Sequence, residues 1–273
     1  LTTPPGPVHL TDGAPPVEPY AYGLFSAARV LTGGGHWQVG GVEYDTDSCA
    51  QGGRVHGVCP TPANPHDKPV AQGLMIVRGC GPFTVYQRAS CNAVGFNGPS
   101  RLARSRLLLI EEREAERGFW ENCLMGHLGQ AITPHGEGPV SLTQGLGVLE
   151  QQSLWHYMGR PTFHVPRWTH VYFRRRGLVR PQGPAQRTYL DSRVVFGAGY
   201  AAPTPGAPAP ATPAFPQFWA FATGTVTARR SEDFVNETFD AASNTRTAIA
   251  ERTYAFDADC LLMAVLMTVE GMD

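Results

Sequence analysis

Between Pro99 and about Leu128 the chain runs without proline and with only Gly118 and Gly126 as helix breakers, in a sequence that elsewhere is crowded with its 24 prolines and 31 glycines. That stretch predicts one helix over residues 100–128, with Ser100 as its N-cap. At about 28 residues it would run roughly 40 Å, beyond the usual globular helix, so it reads as a strut. Leu102, Ala103, Leu107, Ile110, Cys123 and Leu124 make a loose apolar stripe. Glu111, Glu112, Arg113, Glu114, Glu116 and Arg117 are expected to form a solvated middle, with Arg113–Glu116 and Glu114–Arg117 at pairing distance along the helix.

On either side the chain is strand-like and punctuated. Residues 1–20 hold six prolines and read as an extended arm that gains order only against another surface. Phe25–Thr32 and Trp37–Thr46, separated by Gly33-Gly34-Gly35, predict a long glycine-broken hairpin. Residues 47–73 read as loop, and Leu74–Val77 and Phe83–Gln87 as strands. Leu142, Leu146 and Leu149 share a face of a helix over 142–157. A strand at Thr162–Val165 follows, then a short helix opened by Pro166 and closed by Gly177, and a strand at Arg187–Phe196. The six prolines of Pro203–Pro216 predict an extended loop. Phe218–Arg229, Ala250–Phe256 and Leu261–Val269 supply closing strands.

Composition narrows the class. Charged residues make up 16% of the chain, against a typical quarter, and apolar residues 42%. Such a chain leaves surface that a monomer would have to expose, which favours an assembly. A net charge of −1 gives no global attraction to nucleic acid or to an acidic membrane. Lys68 is the only lysine among 22 basic residues. Residues 1–20 lack the basic and apolar regions of a secretory signal, and the longest apolar run, Cys260–Val269, is too short to span a bilayer, so a soluble, cytoplasmically made protein is expected. None of the six cysteines sits in a Cys-x-x-Cys pair, and no disulfide framework is expected.

The motifs point away from catalysis. Gly197-Ala198-Gly199-Tyr200-Ala201-Ala202 after a strand has the glycine spacing of a dinucleotide fingerprint, but Pro203 stands where its helix should start, so it reads as a glycine turn. Cys49, His56, Cys59 and His66 are all zinc-capable, yet their spacing matches no common finger, and they read as loop residues with a metal as the weaker alternative. Arg174-Arg175-Arg176 before Gly177 reads first as a cationic helix C-terminus and second as a phosphate-binding patch. His156, His164 and His170, interleaved with Trp155 and Trp168, read as a packed polar-aromatic region. With no nucleophile elbow, phosphate loop or His-Glu-x-x-His, the expectation is no enzyme, no catalytic residue and no cofactor.

The order of parts, a proline-rich arm, a glycine-broken hairpin and then one long charged helix, resembles the Hong Kong ninety-seven capsid fold of tailed phages, which encapsulin shells share. The resemblance implies an α+β fold with these parts: an N-terminal arm at 1–20, an extended hairpin loop at 21–48, and a peripheral domain at 49–141 containing the spine helix. An axial domain at 142–249 and returning strands at 250–273 complete it. It further implies a major capsid protein of a virion, self-assembling in the host cytoplasm into an icosahedral shell of hexamers and pentamers. The implied partners are scaffolding, portal or decoration proteins and DNA packaged without sequence specificity, with no membrane. Crosslinked members use a lysine on the extended loop; Lys68 follows the hairpin as drawn here, so no crosslink is expected. The alternatives are another virion component, such as a head–tail connector or minor tail protein, and a soluble metal-binding enzyme.

Overall fold

The structure, a computed structural model, describes residues 22–49, 75–92, 98–136, 138–200 and 215–269. A 3-10 turn at Leu24–Ser26 leads into β1 (Arg29–Thr32), a single helical turn α1 (Trp37–Gly40) and β2 (Glu43–Thr46). β3 (Met75–Arg78) and β4 (Phe83–Asn92) precede the long helix α2 (Pro99–Phe119), which runs on as a π-helical segment over Trp120–Met125. Then come β5 (Val140–Ser141), α3 (Leu142–His156), β6 (Thr162–Pro166), α4 (His170–Arg175), β7 (Arg180–Gln182), β8 (Ala185–Arg187) and β9 (Arg193–Gly197). β10 (Gln217–Thr223), β11 (Val226–Arg230), β12 (Phe234–Asp240), β13 (Thr245–Ala258) and β14 (Leu262–Thr268) follow.

Two sheets organise the molecule. In the first, the 14-residue β13 is the centre: β4 runs antiparallel along one side of it, β12 and β11 follow each other along the opposite side, and β1 lies parallel to β11. The inward residues of β13 and β4 include Ala89, Ala248 and Ala250, so small that α2 can lie close across the sheet. Gly118 marks the tightest approach, since a Cβ there would stand 2.3 Å from the Phe83 ring. The second sheet has the order β5-β14-β10-β6-β9-β8-β7. One face packs under α3 and α4, through Leu142, Leu146, Leu149 and Phe173 against Met263, Met267 and Phe196. Val195, Phe221 and Ala264 on the other face join Phe119 and Trp120 at the far end of the long helix.

The long helix is present as expected, and α3 and α4 match their predicted positions. Several expectations need correction. Ser100 is not the cap: the helix starts at Pro99 with Gly98 before it, and the Ser100 hydroxyl donates to Glu237 at 2.5 Å. The segments at 25–32 and 37–46 do not form a hairpin. Gly33 at φ +146 turns the chain out of β1, whose partner is β11, while Trp37–Gly40 coils into a helical turn. The real ribbon is β2 with β3, in register from Glu43 opposite Arg78 to Thr46 opposite Met75. Lys68 therefore falls between the two ribbon strands in sequence, which removes the ground for excluding a crosslink. Residues 226–249, assigned to the axial domain, pair in the first sheet instead, because the chain crosses between sheets at Gly224 and returns after Asp259. The strand expected over 187–196 is two, β8 and β9, folded back at Asp191 with φ +70. β12 was not foreseen at all. The arm at 1–20 and most of the proline-rich segment lie outside the described residues.

The middle of α2 is not a solvated face. Glu111 and Glu116 are buried. Glu111 Oε1 accepts from Arg230 at 3.0 Å, from Arg252 at 2.5 Å and from the Tyr254 hydroxyl. Burial works against the Arg252 charge, and the bonds to Glu111 more than offset it, holding its guanidinium above the ordinary value. Burial first, and then the Glu111 charge, pushes the Tyr254 hydroxyl up. Glu116 accepts the backbone N–H of Leu24 at 2.8 Å through one oxygen and that of Gly199 at 2.9 Å through the other. A Cβ at position 199 would sit 2.1 Å from the Arg113 carbonyl, so the glycine spacing read above as a turn serves close approach to the helix. Of the residues expected to stay in solvent, Glu114 pairs with Arg113 and Arg117.

Removing one partner of a buried pair strands the other charge, at a cost of about 3–5 kcal/mol. Glu111→Gln is expected to lower folding stability by an amount in that range. Glu114→Gln, whose ion pairs are more exposed, should cost under about 1 kcal/mol. Denaturant unfolding of both variants checks the contrast, and equal midpoints would refute the assignment.

Candidate assembly surface

Three surfaces of the described residues are candidates for contact. The first lies on the α3 side of the second sheet. Leu154, Trp155 and Met158 at the end of α3, with Tyr189 and Leu190 in the turn between β8 and β9, are exposed; Trp155 and Leu190 each show 71% of their surface. Leu154, Tyr189 and Leu190 border a groove of about 340 Å³ that Leu146 and Leu178 also line. Its polar floor is Glu150, which accepts from Thr188 at 2.5 Å and Ser192 at 2.7 Å and so holds the β8–β9 turn to α3. Contiguous exposed apolar side chains of this kind mark interaction sites on folded proteins.

The second surface is the outer edge of β4. No described strand pairs with that side of its ten residues, and Arg106 reaches over to donate to the Arg88 carbonyl at 3.1 Å. Between this edge and α2 runs a groove of about 440 Å³, lined among others by Phe83, Val85, Ile110 and Arg117. A long open edge beside a groove is a template for strand addition.

The third is the β2–β3 ribbon, which pairs with no other described strand and exposes Ile76. Both of its legs are fastened to the body. Cys49, just after β2, forms a disulfide with Cys260 at the crossing into β14, with an S–S distance of 2.07 Å. Cys80, just after β3, is bonded to Cys123 in the π-helical segment, at 2.05 Å. Backbone bonds from Gly79 to the Val42 carbonyl and from Cys80 to the Phe256 carbonyl, each 2.8 Å, complete the base. The expectation of no disulfide framework is corrected here: the partners lie 211 and 43 residues apart, so the fold brings them together where local spacing cannot.

The other sequence candidates resolve as follows. The Cys49 sulfur is committed to Cys260, which removes it from the proposed zinc set, and His56, Cys59 and His66 lie outside the described residues. His156, His164 and His170 do not converge on one site. His164 is fully buried on β6, its ring nitrogens hydrogen-bonded to the Tyr200 and Thr223 hydroxyls at 2.9 Å each, and burial lowers its pKa to about 3. His170 stands edge-on to Phe196 on the α4 side. Among the described residues no group of three or more His, Cys, Asp or Glu side chains could hold a metal, and no helix is long and apolar enough to cross a membrane. The open β4 edge and the ribbon's true bounds were missed; the Gly79-Cys80-Gly81-Pro82 break between two strands was the signal that could have located the ribbon's second leg.

By sequence the chain matches no protein-family profile and no curated protein. By structure it is similar to the capsid of a native GTA particle, with a TM-score of 0.56, 10% identity and coverage of 96% of this chain and 95% of that one. The capsid of Ralstonia phage GP4 aligns with a TM-score of 0.56 at 7% identity, covering 99% and 97%. The SrpI encapsulin of Synechococcus elongatus PCC 7942 aligns with a TM-score of 0.55 at 9% identity, covering 96% and 92%. The chain therefore has the α+β fold that these shell subunits share, as the order of its parts implied.

The buried His164 fixes an acid dependence. Its folded pKa, about 3, lies below the ordinary value of 6.5, so the unfolded chain binds a proton that the folded chain refuses. Its contribution is complete above about pH 6.5 and is lost as pH falls below that value, at up to about 1.4 kcal/mol per pH unit. His164→Gln is expected to flatten the stability profile between about pH 5 and 6 by close to one proton, measured by denaturant titration. An unchanged slope would mean that His164 takes up its proton in the native state.

Proposed function

We propose that this chain is the major shell subunit of a tailed-phage-type virion, assembling as hexamers and pentamers in the host cytoplasm into an icosahedral shell that encloses DNA. The observation that carries it is the extent of the structural match, 96–99% of this chain on 92–97% of the three shell subunits, which spans both sheets and the long helix. The surfaces agree with it. An apolar groove, an open strand edge and a fastened ribbon are three unlike contact elements on one subunit, as a shell with several kinds of neighbour needs. Low charge leaves much of the remaining surface free of desolvation cost on docking.

The role of the subunit on this reading is mechanical, and its chemistry is that of association. Ordering extended segments costs roughly 1–2 kcal/mol per residue of backbone, so neighbours must supply compensating burial. A subunit in such a shell buries well over ~2,000 Å² in total. The partners implied are further copies of the chain, the packaged DNA, and scaffolding, portal or decoration proteins.

Negative-stain microscopy of the purified chain at high concentration is expected to show closed shells. Rings of about a dozen copies would favour a head–tail connector instead, and a persistent monomer would overturn assembly altogether. Leu154→Asp with Leu190→Asp, both exposed positions that border the groove, is expected to abolish shells while leaving the thermal midpoint of the subunit within a few degrees of the parent. Normal shells from that variant would remove the α3 groove from the assembly surface.

A further inference from the structure

The charges of this chain are segregated. Residues 151–190 contain seven arginines and not one acidic residue, so the other 15 basic residues share the chain with all 23 acids. Three of the seven are spoken for. Arg160 and Arg187 pair with Asp191. Arg167 lies near enough to Glu112 to lower its pKa, against the larger rise that burial causes there. The other four, Arg174, Arg175, Arg176 and Arg180, are exposed and have no ion pair among the described residues.

These four lie together where α4 ends. Arg174, Arg175 and Arg176 step around its last turn, Gly177 at φ +63 reverses the chain, and Arg180 begins β7 at the edge of the second sheet. The Arg180 guanidinium sits 5.8 Å from the Tyr189 ring centroid, which leaves its N–H groups open to solvent on the same side chain that the ring steadies. Completing a helix dipole does not account for the cluster. A helix of six residues has a small dipole, one cation would satisfy it, and Arg180 is outside it.

We propose that this arginine cluster is a contact surface for the phosphate backbone of duplex DNA. The assignment rests on the shell reading above and adds to it the residues that meet the contents. Guanidinium groups match phosphate oxygens in a planar, two-point geometry, and a duplex presents one charge per roughly 1.7 Å of axis, so neighbouring arginines find successive phosphates without any base being read. An acidic face of a second copy is the competing occupant, since Asp45 and Asp47 are exposed on the β2–β3 ribbon. Two or three carboxylates on one short ribbon offer a local contact, whereas a duplex offers a continuous row of charges that can meet all four arginines, and the test below separates the two.

The test is fluorescence anisotropy of a labelled mixed-sequence duplex with unassembled subunits, titrated at several salt concentrations, beside shell counts by negative stain on the same preparations. Four phosphate contacts predict a slope of log affinity on log salt near about −3.6, or roughly a hundred-fold loss between about 50 and 200 mM salt. Replacing all four arginines by Gln is expected to remove most of that slope with shells still forming, and replacing them by Lys is expected to retain it. Subunits of the Gln variant that bind the duplex as the parent does would overturn the proposal. If they do so while shells are lost, the cluster is a contact with a second copy. Because binding is read on subunits, a parent chain that forms no shells would sink the shell reading, while the phosphate contact would still be decided by the slope.

Discussion

A carboxylate buried under a β-sheet is the constraint on which the rest of this molecule turns. Glu111 collects two arginines and a tyrosine hydroxyl from β11 and β13. Beside it Glu112, and just over a turn further along Glu116, take the backbone of the segment before β1, and Glu116 also takes the turn after β9. The long helix thereby fixes the positions of the first sheet, the entering chain and the end of β9 in the second sheet through three carboxylates. Desolvating such groups is expensive, so their worth lies less in net stability than in specifying one register for elements that the alanine-lined interface alone would leave free to slide. A helix that must define geometry for neighbours benefits from polar contacts with a single solution.

The ribbon depends on that frame from outside. Its two legs end at Cys49 and Cys80, bonded to the crossing between the sheets and to the π-helical end of the spine. The crossing itself is stiffened by Tyr157, whose hydroxyl accepts the Thr225 N–H at 3.1 Å and donates to Asp259 at 3.3 Å. Thiols stay reduced in a cytoplasm and pair in oxidising surroundings. On the proposed assembly route, the ribbon would thus meet its neighbours while held at its base by backbone hydrogen bonds, and the covalent fastening would follow once the particle leaves the cell.

What the sequence made legible and what it hid have separable physical causes. The long helix, α3 and α4 could be read because proline, glycine and apolar spacing are local signals. The ribbon could not, because strand pairing is a long-range choice: Glu43 finds Arg78 across 35 residues, and the glycines at 33–35 that suggested a hairpin turn only redirect the chain. The carboxylates of α2 looked solvated since their partners, Arg230, Arg252 and Tyr254, come from strands more than a hundred residues later. β12 went unseen because its pattern of exposure lacks alternation; it is a strand by virtue of its hairpin with β13. Of the candidate surface, the exposed Trp155 was noticed only as part of a histidine-rich stretch, and the open edge of β4 was invisible until β13 claimed its other side.

The low charge content acquires a structural meaning from this arrangement. Several of the described acids sit in pairs with arginines of the same chain, linking the spine helix to the sheet or strand to strand, and those pairs neutralise each other locally. The α3 groove and the β4 edge carry few charges of their own, which suits joining by apolar contact and backbone hydrogen bonds on the proposed reading. Against that background the run of arginines from 174 to 180 is conspicuous: among the described residues Arg174, Arg175, Arg176 and Arg180 have no ion pair, and the 40-residue stretch around them contains no acid. The rest of the chain carries a net negative charge, so the field of the subunit is uneven, and on the proposed reading that unevenness is what would draw a polyanion to the end of α4.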